Sequence, residues 1–319
     1  MGLQEDIARA AELIREGRLV AFPTETVYGL GAHALDPMAV ARIYELKERP
    51  SFDPLIVHIA DLAMLQQLCL APDPRVLLLA SKFWPGPLTM VLPKSAAVPD
   101  IVTSGLSTVG IRMPGNEIAL QLIKTSGCPI AAPSANKFGR LSPTSARHVL
   151  KQLPEVDFVL EGGKAQVGIE STIIRLNEKG FEILRHGIIT REELEKWVPF
   201  HAEEKPADQM LAPGMMKSHY SPGKPLYLSD DERLMQMNRR DAGFLSFSGQ
   251  DTHGYGLVLD MAPGGDLKEY AVNLFEGLHQ LEEAKVAFMV AETVEEKGIG
   301  LAIMDRLRKA AWRYSAEQH

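Results

Sequence analysis

The stretch Phe22-Pro-Thr-Glu-Thr-Val-Tyr-Gly-Leu-Gly31 begins where a short predicted strand, residues 19–22, ends. Ahead of that strand, residues 6–16 carry apolar side chains at helical spacing, and Gly17 ends this predicted helix. A polar loop at the end of a strand can present its side chains to a ligand. The stretch is therefore the first candidate for part of a functional site.

Part of this stretch also matches a loose nucleotide-binding pattern. Gly29-Leu-Gly31-Ala-His-Ala34 has the spacing Gly-x-Gly-x-x-Ala, but a polar Pro-Thr-Glu-Thr segment stands where a direct strand-to-turn junction is expected. We therefore discount a dinucleotide site. The sequence also has no Walker loop, no His-Glu-x-x-His and no Gly-x-Ser-x-Gly, which argues against metalloprotease and α/β-hydrolase chemistry.

Further strands and helices alternate along the first two thirds of the chain, which predicts an α/β domain of undetermined sheet order. The predicted strands are 55–59, 89–92, 109–112, 130–132, 158–160 and 172–175, and the predicted helices are 37–47, 62–70, 76–83, 117–126 and 145–152.

A second, smaller α/β domain with a parallel sheet is predicted after a linker. Residues 201–212 are polar and without clear periodicity, and Pro213-Gly-Met-Met-Lys-Ser-His-Tyr-Ser-Pro222 follows between two turn signals. The second alternation has strands at 226–228, 243–247 and 256–259 and helices at 267–283 and 300–314. We therefore expect domains at 1–200 and 225–319, joined by a linker at 201–224.

Composition supports this organisation, because 319 residues exceed the usual size of one hydrophobic core. The net charge of −7 argues against a surface that sequesters nucleic acid, although brief RNA contact remains open. No apolar run is long enough to cross a membrane, and we expect a cytoplasmic protein. Cys69 and Cys128 are far apart, so we expect two buried core cysteines and neither a disulfide nor a metal site.

Four groups of residues are candidates for chemistry, and each has a simpler explanation. Lys47 and Arg49 at a helix end suit a polyphosphate, or merely complement the helix dipole. His58 alternates with apolar neighbours, so it is either a pocket residue or a hydrogen-bonded core histidine. Arg112 closes a strand, where it either clamps a substrate carboxylate or pairs with a structural acid. In Ala131-Ala-Pro-Ser134-Ala-Asn136, small residues let phosphates approach closely, or simply form a turn.

Together these motifs resemble the YrdC-like family in its two-domain form, and the resemblance spans most of the chain. It implies a twisted mixed-sheet N-terminal domain and a Rossmann-like second domain. It also implies a catalytic role for Lys47 and Arg49 and a threonine pocket formed by Thr26, His58, Arg112, Ala132 and Ser171. Nucleotide contacts are implied for Lys47, Arg49, Asp53, Thr108, Ser134, Asn136, Ser142, Arg185 and Tyr220. Family members usually have Asn-Pro-Leu where this chain has Asp53-Pro-Leu, and a carboxylate near a triphosphate would need a metal ion or an outward rotamer.

The resemblance implies synthesis of threonylcarbamoyl-AMP and pyrophosphate from L-threonine, bicarbonate or CO2, and ATP, with Mg2+ accompanying ATP. This nucleotidyltransferase reaction would be the first step of N6-threonylcarbamoyladenosine formation in tRNA, with transient contacts to tRNA and to downstream transferase proteins and no membrane partner. The linker would fold over the active site. Two other classes stay open: a carbamoyl-transfer module like that of hydrogenase-maturation proteins, and an RNA-binding module without catalysis.

Overall fold

The computed structural model describes residues 2–203, 212–214, 216 and 219–314. A nine-stranded sheet forms the centre of the N-terminal part, in the order β7-β1-β2-β6-β3-β5-β4-β8-β9. Its strands are β1 Val20–Phe22, β2 Gly29–His33, β3 Ile56–His58, β4 Leu88–Pro93, β5 Thr108–Arg112, β6 Ile130–Ala131, β7 Phe158–Val159, β8 Thr172–Leu176 and β9 Phe181–Arg185.

Parallel and antiparallel neighbours occur side by side in this sheet, for example β3 with β5 and β4 with β5. Helices cover both of its faces. They are α1 Leu3–Arg15, α2 Pro37–Lys47, α3 Leu62–Leu68, α4 Pro74–Phe83, α5 Asp100–Thr103, α6 Glu117–Ser126, α7 Ala146–Gln152 and α8 Arg191–Glu195.

Alternate residues of β1 belong to two different apolar cores. Val20 and Phe22 pack in the core under α1 and α6, whereas Ala21 packs in the core under α2, α3, α4 and α7. Since successive side chains of a strand point to opposite faces, a sheet buried on both faces produces this division.

The second domain has four parallel strands in the order β10-β13-β11-β12. These strands are β10 Leu226–Leu228, β11 Ala242–Ser246, β12 Leu257–Asp260 and β13 Phe288–Ala291, and the helices are α9 Leu267–Glu283 and α10 Ile299–Ala311. The expected fold class, a mixed-sheet α/β domain followed by a smaller parallel α/β domain, is confirmed. Short 3-10 turns lie at Glu232–Gln236, Arg239–Asp241 and Trp312–Tyr314.

Strands β2, β9 and β13 and helices α5 and α8 were not predicted. In β2 the cause is its glycines, which are poor strand formers but are required by packing. A Cβ on Gly31 would lie 2.8 Å from both the Phe22 ring and Ile130 Cγ2. Gly29-Leu-Gly31 is thus a strand and not a dinucleotide-binding turn, in agreement with our discounting of that site.

The last strand of the large sheet ends at Arg185, and the first strand of the small sheet begins at Leu226. The exact domain and linker boundaries stay a prediction, and residues 204–211, 215 and 217–218 of the linker lie outside the described residues. Both cysteines are buried, as expected. Among the described helices, none has the length and apolar character needed to span a bilayer.

The two domains make direct contact near α9. Gly168 has φ +75°, and a Cβ at this position would lie 2.2 Å from the carbonyl oxygen of Val272 in α9. His148 of α7 stacks on His279 of α9, with ring centres 3.8 Å apart, and His279 Nε2 lies 3.1 Å from the carbonyl oxygen of Ser142. The small domain therefore packs against loops of the large domain that lead to the pocket described next.

Candidate active site

A small pocket, about 50 Å³, lies where several strands of the large sheet end. A water molecule needs about 10–15 Å³ in the same measure, so this space holds only a few waters. The predicted site residues that line it are Thr26, Arg49, His58, Arg112, Ala132, Ser134, Ser171, Arg185 and Tyr220. Thr24, Glu170 and His219 also line it.

Arg112 is held at the end of β5 by contacts on each of its nitrogens. Nε donates to the Gly86 carbonyl oxygen at 3.2 Å, and Nη1 donates to Thr26 Oγ1 at 3.0 Å. Nη2 lies 2.7 Å from Glu25 Oε1 in an ion pair. The structural pairing that the sequence left open is therefore present, in a guanidinium that also faces the pocket.

The loop after β1 is shaped by Thr24. Its hydroxyl donates to the Val27 carbonyl oxygen at 2.6 Å and lies 2.8 Å from Thr26 Oγ1. It also accepts from the amides of Thr26 and Val27, each at 3.2 Å. This turn presents Thr26 to Arg112, so two elements distant in sequence form one wall of the pocket.

His58 is both a core residue and a pocket residue. It is buried at the end of β3, edge-on to the Phe22 ring. Burial, with help from the Arg112 charge, lowers the pKa of His58 to about 3, so its imidazole is neutral at physiological pH. Nδ1 has no hydrogen-bond partner among the described residues and can accept or donate one hydrogen bond to a ligand.

Lys47 does not line the pocket but supports the loop that does. The helix α2 starts at the Asp36 N-cap and ends at Glu48, whose φ of 55° turns the chain sharply. Lys47 Nζ donates to the Ser134 carbonyl oxygen at 2.6 Å and closely to that of Asn136. Burial and the neighbouring Arg49 charge hold the pKa of Lys47 well below its ordinary value.

Asp53 lies behind Arg49 and away from the pocket. The two side chains form a buried ion pair at 2.9 Å, and Arg49 also donates to the carbonyl oxygens of Asp53 and Pro54. The Asp53 carboxylate is buried and compensated by Arg49, so it does not adopt the outward rotamer considered above. Its suggested nucleotide contact stays a prediction.

Three other predicted nucleotide contacts also lie outside the pocket lining. Asn136 donates to the carbonyl oxygens of Lys137 and Arg140, which closes its own loop. Ser142 is buried and donates to Glu170 Oε1 at 2.5 Å. Thr108 lines a smaller neighbouring cavity, which shares Ile56 and Pro213 with the main pocket. Asn136 and Ser142 thus support the walls of the pocket from behind, whereas Thr108 belongs to the neighbouring cavity.

Arg185 and Ser171 form the opposite wall. Arg185 Nη2 donates to Ser171 Oγ and to the Ser171 carbonyl oxygen, both at 3.1 Å. Ser171 Oγ also lies 2.8 Å from Thr89 Oγ1. This network places a buried guanidinium in the pocket lining, together with those of Arg49 and Arg112. Burial lowers the pKa of Arg185, but an arginine keeps its charge.

Part of the predicted linker lines the pocket. Pro213, Gly214, His219 and Tyr220 all line it, and Arg185 Nη1 donates to the Pro213 carbonyl oxygen at 3.3 Å. Tyr220 is fully buried, and its Oη has no hydrogen-bond partner in the described part of the chain. We call residues 213, 214, 219 and 220 the cover.

Sequence reasoning assigned no role to Glu25 or Glu170. Glu25 lies within the quoted motif, and Glu170 precedes Ser171, but a single acid beside a motif does not reveal its partner. Among the described residues, no group of three or more His, Cys, Asp or Glu side chains could hold a metal ion. The pocket is therefore a cation-lined cavity that combines hydroxyls with a neutral imidazole.

Comparison with known proteins finds relatives of both domains. A family model described as "Telomere recombination" matches residues 12–187, and one described as "Threonylcarbamoyl-AMP synthase, C-terminal domain" matches residues 189–312. The threonylcarbamoyl-AMP synthase of Pyrococcus abyssi is 44% identical over 95% of this chain and 93% of its own. That of Bacillus subtilis is 42% identical over 96% and 92%.

A crystal structure of Pyrococcus abyssi Sua5 complexed with L-threonine has the same fold, with a TM-score of 0.86 and 43% identity. The match covers 98% of this chain and 95% of that one. Both domains and their order are thus shared with these relatives over nearly the full length. The chain belongs to the YrdC-like family, in its two-domain form, the threonylcarbamoyl-AMP synthases.

Proposed function

We propose that this protein makes L-threonylcarbamoyl-AMP and pyrophosphate from L-threonine, bicarbonate or CO2, and ATP, as a nucleotidyltransferase. The observation that supports this most is one pocket in which Arg112, Thr26 and His58 face the cations Arg49 and Arg185. An amino-acid carboxylate and a polyphosphate are both bound by positively charged side chains. The reaction requires threonine and ATP to be bound next to each other.

Arg112 is the residue that would bind the threonine carboxylate. Its fork is already oriented by Gly86 and Thr26, so little side-chain freedom is lost on binding. Thr26, His58, Ala132 and Ser171 would shape the pocket around the amino acid. The amine of threonine first takes up CO2 to give a carbamate.

A carbamate oxygen then attacks the α-phosphorus of ATP, the bond to the β-phosphate oxygen breaks, and pyrophosphate leaves. Arg49, Arg185 and Ser134 would hold the phosphates, with Lys47, Asn136 and Ser142 supporting their loops. His58 and His219 are both buried, and burial lowers the pKa of each, so neither is poised as a base near neutral pH. We therefore attribute catalysis to positioning and electrostatic stabilisation.

Mg2+ fits this pocket only as a partner of the nucleotide. Mg2+ prefers phosphate oxygens and water with one or two carboxylates. Glu170 is the pocket-lining carboxylate that could approach it, and this side chain is already bound to Ser142 and Arg306. Bound Mg2+ would neutralise charge on the leaving pyrophosphate.

The adenylate product hydrolyses readily. The cover would protect this product by excluding water from the pocket. The pocket, at about 50 Å³, holds only a few waters, and an outward movement of the cover would make room for ATP and threonine. We further propose that the product serves N6-threonylcarbamoyladenosine formation in tRNA in the cytoplasm, with transient contacts to tRNA and to downstream transferase proteins. The acidic net charge supports transient rather than tight RNA contact.

The test is pyrophosphate release from ATP and Mg2+, with threonine and bicarbonate omitted in turn. We expect release only when both are present. Release that requires carbamoyl phosphate instead would support the carbamoyl-transfer class. No release together with salt-sensitive RNA binding would support the RNA-binding class and contradict our proposal.

A further inference from the structure

Glu170 places a buried carboxylate in the wall of a pocket that must hold anions. It is 6% exposed, lines the pocket, and accepts a hydrogen bond from Ser142. Burial opposes its ionisation, but the charges of Arg306 and Arg185 and the Ser142 hydroxyl outweigh burial and keep the pKa of Glu170 below its ordinary value. The carboxylate is therefore ionised, and an uncompensated charge here would repel phosphate.

Arg306 provides the direct compensation, and it comes from the other domain. This residue of α10 is fully buried, and its Nε donates to Glu170 Oε2 at 3.0 Å. Nη1 donates to the His186 carbonyl oxygen at 2.6 Å and to Asp305 Oδ2 at 2.9 Å. The guanidinium carbon also lies 5.6 Å from the centre of the Tyr220 ring in the cover.

Arg185 is the other arginine close to Glu170, but its hydrogen bonds go elsewhere. They run to Ser171 and to the Pro213 carbonyl oxygen, and the structure records none from Arg185 to Glu170. Arg185 lines the pocket, whereas Arg306 is not among the described residues that do. Arg306 thus contacts the carboxylate from outside the pocket lining, whereas Arg185 is part of that lining.

We propose that Arg306 is a positioning residue of the nucleotide site: it neutralises Glu170 from behind the wall and leaves Arg185 free for the phosphates of ATP. This rests on the proposed function for the identity of the ligand. Without Arg306, Glu170 would either draw Arg185 into an ion pair and away from the phosphates, or present its own negative charge to the nucleotide. The C-terminal domain therefore completes the ATP site by charge, without touching the substrate.

The same helix also anchors the cover. Lys309, one turn after Asp305, pairs with it at 2.7 Å and donates to the Gly214 carbonyl oxygen at 2.7 Å. The backbone amide of His219 in turn donates to the Lys309 carbonyl oxygen at 3.4 Å. Helix α10 is therefore placed to hold the wall and the cover together.

The test compares R306M, the double variant E170Q/R306M and the control R308M in the full-length protein. Arg308 is on the same helix but is 53% exposed and pairs with Glu296, so R308M changes helix charge without touching Glu170. KM for ATP and for threonine are measured for each variant. Binding of a non-hydrolysable ATP analogue is measured by calorimetry, and folding by thermal unfolding.

We expect R306M to raise KM for ATP by about tenfold or more, because a buried charge that loses its partner is costly to bring near another anion. KM for threonine should change much less. E170Q/R306M should recover most of the ATP affinity, since it removes the charge that Arg306 compensates. R308M should behave as wild type.

The proposal is overturned if E170Q/R306M is as poor as R306M, if both KM values rise together, or if both variants fail to fold. Each of these results would mean that Arg306 has a structural role only and does not act on the nucleotide site through the charge of Glu170. If only R306M fails to fold and the double variant binds the analogue normally, the charge argument stands. The analogue titration is independent of turnover. Suppose that the wild type binds the analogue more tightly than R306M does, but releases no pyrophosphate in response to threonine. This result would refute the proposed function and leave the inference about Arg306 intact.

Discussion

The guanidinium of Arg112 pairs with a carboxylate of its own chain, and a bound threonine would have to share or replace that contact. Glu25 Oε1 lies 2.7 Å from Nη2, so a substrate carboxylate that approached this nitrogen would meet the Glu25 carboxylate. If Arg112 binds threonine as proposed, the affinity of the site for threonine would depend on the planar fork of arginine, which can serve two carboxylates at once.

R112K tests this dependence at the scale of one residue. Lysine keeps the charge but loses the fork, and hydrogen bonds to charged groups contribute about 1.5–3 kcal/mol. We expect KM for threonine to rise about 10- to 100-fold, with a smaller change in KM for ATP. R175K, in β8 and paired with Glu182 and Glu203, is the matched control. An unchanged KM for threonine in R112K would show that Arg112 does not bind the amino acid.

Lys47 is expected to affect both stability and ATP use. K47M leaves the carbonyl oxygens of Ser134 and Asn136 without their buried donor, which should lower the free energy of unfolding by about 1–3 kcal/mol. KM for ATP should rise because the Ser134 loop loses its support. Urea unfolding and steady-state kinetics measure the two effects. K137M, at a more exposed lysine paired with Glu48, is the control. A full synthesis rate with an unchanged unfolding curve would show that the assignment of Lys47 is wrong.

At the scale of elements, the contact between the Gly168 loop and α9 joins the two domains. Gly168 and Gly163 both have φ +75°, but only Gly168 lies against a backbone, that of Val272, whereas the Cβ position of Gly163 is open. G163A therefore reports backbone strain alone, at about 1 kcal/mol. G168A adds a clash and should cost at least about 2 kcal/mol more, with weakened ATP use. Urea unfolding measures the loss of stability in each variant. Equal losses in G163A and G168A would mean that α9 does not pack tightly against Gly168.

At the scale of the whole molecule, the domain contact should weaken in acid. Burial, with the neighbouring His279 charge, lowers the pKa of His148 from 6.5 to about 4. Between these values the unfolded chain binds a proton that the folded chain does not, so stability falls as the pH drops from about 6.5 towards 4. Glu276 Oε2 lies 3.8 Å from His148 Nε2. Its negative charge favours the protonated ring in the folded chain, which limits the loss of stability in acid.

The measurement is the urea midpoint at several pH values from 7.5 to about 4.5, the range over which this histidine changes the balance. H148Q removes the titrating ring and should reduce the slope of stability against pH. The Gln side chain also loses the stacking on His279, so only the slope, and not the absolute stability, is compared. A slope identical to that of the wild type would place the acid sensitivity elsewhere.

Much of the architecture could be predicted from local patterns. The predicted helix at residues 37–47 agrees with α2, and residues 117–126 agree with α6, because caps and apolar spacing act within one element. Strands β2 and β9 were missed for lack of such a signal. In β2, Gly31 is required by Phe22 and Ile130, which are close only after folding.

The sequence by itself determined the types of side chain that face the pocket, because strand ends and the loops after them carry Thr26, His58 and Arg112 to one edge of the sheet. Only the tertiary structure decided how their charges are balanced. Glu170 and Arg306 are 136 positions apart and meet because two domains pack together. An ion pair depends on distance and burial, and neither is encoded in the spacing of residues along the chain.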